Sequence, residues 1–366
     1  MTLDSVDIFR YRLPLHPSPL LDGARARHRE GAVLRLETRR GAVGWGEAAP
    51  LPGFSDEDLP TVLRQLRRLR APLRQRTLPD IGTNGHVPWT AVPGEKDLAA
   101  SARFALETAI LFVAADAVDR SPPQVLAESP RPAVSLNALL DGDPDEVEAA
   151  AESLRDDGYR SVKLKVGRDD PDHEAAAVKI LSETLGPGVT LRLDANRRWR
   201  FEEAVAFADA IRAVPIEYIE EPLADPSRLG DFARQSGLPI ALDETTREMS
   251  PGRLPECRFA RAVVLKPTLL GGLRATARWS RAARRLQMTP VLSASFEAGI
   301  GTQAVLALAA SLGARDTPAG LGPYRRFEQD VLAPRLDLRG PTVDVRPVFS
   351  GDHVVDADAL EAVAGS

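Results

Sequence analysis

The 366-residue chain has a single cysteine, Cys257, and only five histidines. One thiol excludes an intrachain disulfide and a thiolate metal site. No stretch approaches 18 consecutive apolar residues, so a membrane-spanning helix is not expected. The opening residues Met-Thr-Leu-Asp-Ser-Val-Asp lack the basic and apolar regions of an export signal, and a soluble cytoplasmic protein is the expectation. An excess of positive charge is also missing, and the net charge of −5 argues against a nucleic-acid partner. Arg64, Arg67, Arg68, Arg70, Arg74 and Arg76 form a local basic cluster, but Leu63, Leu66, Leu69 and Leu73 run through it at helical spacing. They read as the solvated side of an amphipathic helix. The hydrophobic content of 43% over this length is ample for a large core and a second module.

Against these absences stands a repeated pattern. Short runs rich in Val, Ile or Leu end in charged residues and lead into helix-like stretches: Lys163 and Lys165 in Ser-Val-Lys-Leu-Lys-Val-Gly, Asp194 in Leu-Arg-Leu-Asp-Ala-Asn, Glu220 in Tyr-Ile-Glu-Glu-Pro, Asp243 in Ala-Leu-Asp-Glu, and Lys266 in Val-Val-Leu-Lys-Pro. That is the rhythm of consecutive βα units. From Lys165 onward these residues are 29, 26, 23 and 23 positions apart. A (β/α)8 barrel of about 250 residues uses roughly 31 per unit with its insertions, so one barrel with charged groups at one mouth is expected. Side chains alternate along a strand with period two. Lys163 and Lys165 therefore share the inward face while Val162, Leu164 and Val166 pack toward helices, and Glu220 rather than Glu221 faces inward.

The earlier part of the chain reads differently. Residues 4–13 and 31–47 look extended, the latter as a hairpin turning at Gly41, and residues 56–72 and 98–115 have helical patterns. This is an α+β module, with a boundary near Arg120-Ser-Pro-Pro. Residues 14–30 and 48–55 read as loops with functional promise, and 77–96 as a linker. Strand 1 of the barrel is predicted over Ala133–Ala138, followed by Asp143 as N-cap, Pro144 and Glu146 in the first turn, and a stop at Gly158. Asp170-Pro171 opens the next helix, strand 7 spans Thr289–Leu292, and strand 8 lies near Ala319–Leu321. The resulting division is 1–120, 121–324 as barrel, and a tail over 325–366 that returns to the first module.

Three inward carboxylates on adjacent strands, without His or Cys nearby, favour a hard cation with oxygen ligands: Mg2+ first, Mn2+ second. Lysines flanking such an ion suit proton transfer, and Lys165 acts as a base only when neutral. Burial and the neighbouring positive charges of Lys163 and the metal push its pKa down. A proton beside a carboxylate is weakly acidic, so the enolate left behind needs stabilisation by charge.

The series Lys-x-Lys, Asp-Ala-Asn, Glu-Glu-Pro, Asp-Glu and Lys-Pro-Thr-Leu-x-Gly resembles the enolase superfamily in its muconate-lactonising branch. Gly44-Trp-Gly-Glu-Ala-Ala-Pro-Leu-Pro-Gly-Phe-Ser55, Leu191-Arg-Leu-Asp-Ala-Asn-Arg197 and Lys266-Pro-Thr-Leu-Leu-Gly271 are similar to segments of the o-succinylbenzoate synthases of menaquinone biosynthesis. The resemblance implies an α/β fold, a (β/α)7β TIM-like barrel under an N-terminal α+β capping domain. It implies dehydration of 2-succinyl-6-hydroxy-2,4-cyclohexadiene-1-carboxylate. Asp194, Glu220 and Asp243 would hold Mg2+, and Lys165 would take the α-proton and return it to the departing hydroxyl. Lys266 would stand as a fixed cation beside the enediolate, and Lys163 would lower the pKa of Lys165. The loops at 14–30 and 48–55 would close over the substrate. Candidate substrate contacts are Arg192, Asn196, Ser293 and Ser295. Where the family more often has Ser-Ser-x-x-Glu-Ser-Ser after strand 7, this chain has Ser293-Ala-Ser-Phe-Glu-Ala-Gly and so fewer hydroxyls. The partner expected is a small carboxylate, with no nucleic acid or membrane, and a monomer is favoured. N-succinylamino acid racemases and dipeptide epimerases are the nearest rival reading, since two opposed lysines suit racemisation. An acid-sugar dehydratase is disfavoured by the lack of His at the ends of strands 6 and 7, and a silent binding barrel by the retention of every charged residue.

Overall fold

The computed structural model describes residues 1–16, 27–78, 94, 97–140, 144–313 and 317–363. Near the N-terminus, Leu3–Pro14, His28–Thr38 and Val43–Ala48 form an antiparallel sheet, and Glu361–Ala362 from the far end of the chain adds a fourth strand beside Leu3–Pro14. Val6 and Ile8 alternate onto one face, with Leu3 joining them across a register shift between Leu3 and Ser5, and that face packs on two helices, Leu59–Leu73 and Ala100–Asp116. Asp58 caps the first helix through a 2.9 Å bond from the Thr61 amide, and Val62, Leu66, Leu69 and Leu73 are its buried stripe. The second lies against Val43–Ala48 so closely that a Cβ on Gly46 would stand 1.9 Å from the Ala105 carbonyl oxygen. The strand therefore needs glycine there.

The barrel is a parallel sheet in the order Ala138–Leu140, Ser161–Lys165, Thr190–Asp194, Ile216–Glu220, Ile240–Leu242, Ala260–Leu265 and Thr289–Leu292. An eighth position closes it, because Ala319 bridges to Leu136 and Gly320 to Ser293. Each strand feeds a helix on the outside, among them Pro171–Leu185, Phe201–Ala210, Leu273–Arg285 and Gly299–Leu312. Asp170 caps the first of these by accepting from the Asp172 amide at 2.9 Å. The outward Val162, Leu164, Leu191, Leu193 and Ile219 join one apolar core that also takes in Tyr11, Leu13 and Leu51 from the N-terminal module. Among the described residues no helix is long and apolar enough to cross a membrane.

Strand 1 departs from expectation. The run predicted as one strand splits: Ala133–Ser135 pairs antiparallel with Thr342–Asp344 of the tail, and Ala138–Leu140 is the barrel strand. The break falls where the Leu136 amide donates to Pro341 and the Asn137 amide to Ala319. The loop expected over 14–30 is shorter, since strands reach Pro14 and resume at His28; residues 17–26 lie outside the described residues, as do Asp143 and most of 77–96.

Candidate active site

The strand register sets the site. Lys163 pairs with Arg192 and Lys165 with Asp194 across one strand boundary, and Asp194 with Glu220 across the next. Carboxylates and ammonium groups of one parity thus meet at the barrel's C-terminal mouth. Lys163 Nζ lies 2.7 Å from Asp194 Oδ2 and 2.8 Å from Glu220 Oε2. Lys165 Nζ donates to Asp194 Oδ2 and to Asn196 Oδ1, both at 2.6 Å. Lys266 pairs with Asp243. Asp194 and Glu220 are fully buried, and Asp243 nearly so.

Such crowding forces unequal proton affinities. Burial lowers Lys165, with the positive charge of Lys163 adding to it and Asp194 opposing. Burial also disfavours the charge on Lys163, but Asp194 and Glu220 outweigh it and raise its pKa well above the usual lysine value. Lys266 is raised in the same way, Asp243 and Glu220 overcoming burial. Burial alone would raise Asp194, yet the three ammonium groups hold it far below the carboxylate range. Glu220 is pushed well up by burial and by the charges of Asp194 and Asp243.

These carboxylates face lysines, and among the described residues no three acidic, imidazole or thiol groups converge as a coordination set. The donor set nevertheless suits a hard divalent cation. Its ligands would be carboxylate oxygens on adjacent strands, the donor chemistry that Mg2+ prefers. Beside them, Oε2 of Glu244 is buried with no hydrogen-bond partner. Asp194, Glu220 and Asp243 are the residues suited to hold such an ion.

A cavity of about 70 Å³ opens here, lined by Lys163, Lys165, Asn196, Lys266, Ser293, Ser295, Asn137, Leu51 and Phe54, among others. Asn196, with φ +44°, adopts the left-handed conformation that Asn tolerates, and its amide group links Lys165 to Glu244 Oε1 at 3.1 Å. Ser293 Oγ donates to the Gly320 carbonyl at 3.2 Å, while Ser295 Oγ is buried and unpartnered. Arg192 is elsewhere. Fully buried one inward position deeper than Asp194, it binds Glu217 at 2.8 Å, Asn137 Oδ1 at 3.1 Å and the Pro318 carbonyl at 2.9 Å, and it is not among the residues lining the cavity. Its guanidinium is engaged with partners inside the barrel, away from the residues that line the cavity. Sequence reasoning passed over Asn137, which with Ser135 interrupts an otherwise apolar strand run, and it set aside Glu221, whose buried carboxylate accepts from the Asp243 amide at 2.9 Å and the Thr245 amide at 2.8 Å.

Comparison with known proteins follows the same lines. Residues 145–348 match the enolase C-terminal domain-like family and residues 3–81 the MenC N-terminal domain. The o-succinylbenzoate synthase of Edwardsiella ictaluri (strain 93-146) is 32% identical, over 89% of this chain and 92% of that one. The chain belongs to the o-succinylbenzoate synthase family of the enolase superfamily. Protein PHYLLO, chloroplastic, of Arabidopsis thaliana is 31% identical over 92% of this chain, which spans 22% of that protein's length. The fold is that of the muconate lactonizing enzyme from Pseudomonas fluorescens complexed with muconolactone, with a TM-score of 0.84 at 22% identity over 98% of this chain and 97% of that one. A dipeptide epimerase from Enterococcus faecalis V583, complexed with Mg and the dipeptide L-Leu-L-Tyr, superposes with a TM-score of 0.80 at 20% identity, over 94% and 97%. The same fold therefore occurs in proteins with differently named activities.

Proposed function

We propose that this chain is a cytoplasmic o-succinylbenzoate synthase of menaquinone biosynthesis, dehydrating 2-succinyl-6-hydroxy-2,4-cyclohexadiene-1-carboxylate to the aromatic product. Residues 1–120 form its cap, 121–324 its catalytic barrel and 325–366 its tail. The likeness to o-succinylbenzoate synthases over about nine-tenths of the chain supports the substrate, and the observation that carries the proton chemistry is the pair of lysines on opposite sides of one cavity. Their strands, Ser161–Lys165 and Ala260–Leu265, are four positions apart in the ring of strands, which is half the circumference of an eight-position barrel.

Asp194, Glu220 and Asp243 would hold Mg2+, with Mn2+ as substitute, and the bound ion would lower the cost of negative charge building on the substrate carboxylate. Lys165, whose pKa burial lowers, takes the α-proton at Nζ. The same Nζ, now protonated, delivers that proton to the leaving hydroxyl on the same face, so water departs and the ring becomes aromatic. Lys266, held charged beside Asp243, faces the developing enediolate and stabilises it as a fixed cation. Lys163, locked between Asp194 and Glu220, sets a positive charge beside Lys165 and so adds to the lowering of its pKa by burial. The cavity is far below the roughly 300 Å³ at which small-ligand pockets begin. A ring substrate would therefore need the cavity wall to open, and Leu51 and Phe54 are the part of it contributed by the loop after Val43–Ala48.

Opposed lysines also suit removal of a proton from one face and its return to the other, so racemisation of N-succinylamino acids or epimerisation of dipeptides is the second reading. The deciding experiment offers the Mg2+-loaded protein both kinds of substrate in D2O. Aromatisation of the cyclohexadiene, stopped by chelation, supports the synthase. Deuterium uptake at Cα of N-succinylamino acids without aromatisation would move the function to the racemase.

A further inference from the structure

The segment after the strand Thr289–Leu292 supplies Ser293, Ser295 and Phe296 to the cavity wall. It is held in a conformation it would not choose. Phe296 has φ +60°, and a bulky residue in the left-handed region costs about 1–3 kcal/mol, persisting only where the surroundings over-determine it.

Part of the restraint is local, Glu297 accepting from the Ser295 amide and the Thr268 hydroxyl, and part comes from the N-terminal sheet. Arg29, 3% exposed on the strand His28–Thr38, donates from Nε to the Phe296 carbonyl at 2.9 Å. Its Nη1 and Nη2 donate to the carbonyls of Pro50 at 2.7 Å and Ala49 at 2.6 Å. Glu47, fully buried on the neighbouring strand, takes the other side of the strained residue. Its Oε1 accepts from the Ala298 amide at 2.7 Å and the Tyr11 hydroxyl at 2.6 Å, and its Oε2 from the Gly301 amide at 2.8 Å. Phe296 is thus bracketed by a cation at its carbonyl and a carboxylate at the amides beyond it. The same guanidinium fixes the root of the loop that brings Leu51 and Phe54 to the cavity. Two walls built from distant parts of the chain share one anchor.

We propose that Arg29 and Glu47 are positioning residues. They set where the Ser293–Ala298 wall stands against the Leu51–Phe54 loop, and so how tightly the ligand is held, while the lysines at the opposite strand ends are untouched. The substrate named in the test rests on the synthase reading.

The test uses Arg29→Met and the nearly isosteric Glu47→Gln in the full-length, Mg2+-loaded protein. It reads kcat and KM for aromatisation, and Kd for o-succinylbenzoate by calorimetry. The expected result is a rise of about tenfold in KM and Kd with kcat changed less than about threefold, the signature of lost ground-state positioning. If Arg29→Met does not fold, Glu47→Gln carries the test. Unchanged KM and Kd in a folded variant, or a fall in kcat with KM unmoved, would overturn the proposal. Should the wild type neither aromatise the substrate nor bind the product, the synthase reading fails by itself. The same KM-against-kcat split is then read from Cα deuterium exchange of an N-succinylamino acid.

Discussion

Lys165 and Lys266 end facing strands, yet their surroundings assign them different chemistry. Burial lowers Lys165, whereas Asp243 and Glu220 keep Lys266 charged. A base works deprotonated, so kcat/KM is expected to rise with pH through the Lys165 pKa, on a limb below the roughly 10.4 of a free lysine. Lys163→Met removes a positive neighbour that lowers Lys165 and leaves Asp194 free to raise it, so the limb should move to higher pH. A pH profile in which the limb stays put or moves down would contradict this electrostatic assignment. Asp194→Asn should weaken Mg2+ binding, measured by calorimetry, by at least about tenfold, the size already seen when only a ligand's supporting partner is changed. Unaltered Mg2+ affinity would remove Asp194 from the ligand set. At this scale the period-two alternation made the inward residues legible. It gave direction and not depth: Arg192 shares the parity of Asp194, but at its level the barrel interior is closed by Glu217, Asn137 and the Pro318 carbonyl.

The strand Val43–Ala48 and the helix Ala100–Asp116 depend on each other through missing side chains. A Cβ at Gly46 would press on Ala105, and one at Gly44 would stand 2.2 Å from the Val113 amide nitrogen. Both contacts are to backbone, which cannot swing aside. Gly46→Ala is expected to destabilise the fold by about 1–3 kcal/mol or more in denaturant unfolding, the usual cost of overpacking. A neutral effect would mean that the helix has room to retreat. The sequence motif Gly-Trp-Gly-Glu was legible as a hairpin strand and as a family likeness. The reason for its glycines lies in a helix more than fifty residues later, which no local pattern reports. The split of the first barrel strand was hidden for a related reason. The run from Ala133 to Leu140 is mostly apolar on both sides of Asn137, and only the distant Thr342–Asp344 claims its first half.

On the scale of the whole molecule, cap and barrel share one apolar core, with Tyr11, Leu13, Leu15, Val33 and Leu51 packed among barrel residues. The far end of the chain adds to the seam, since Ala362 and Glu361 pair with Phe9 and Arg10. Neither part can expose its side of that core cheaply, so scanning calorimetry should show one transition with calorimetric and van't Hoff enthalpies in agreement. Two resolved transitions would mean that the cap unfolds independently. The barrel's rhythm was readable because each βα unit is local in sequence. The tail's pairings were not, because strands of two and three residues carry almost no periodic signal.

The central claim is that Lys165 moves the proton in a dehydration that makes an aromatic ring. Its most direct test is the absorbance change when purified protein and Mg2+ are added to the cyclohexadiene substrate, with Lys165→Ala run beside the wild type. Fast aromatisation by the wild type and a loss of about a hundredfold to ten-thousandfold in the variant, the range of a general base, is the expected result. Equal rates for the two proteins, or no aromatisation by the wild type, would contradict it.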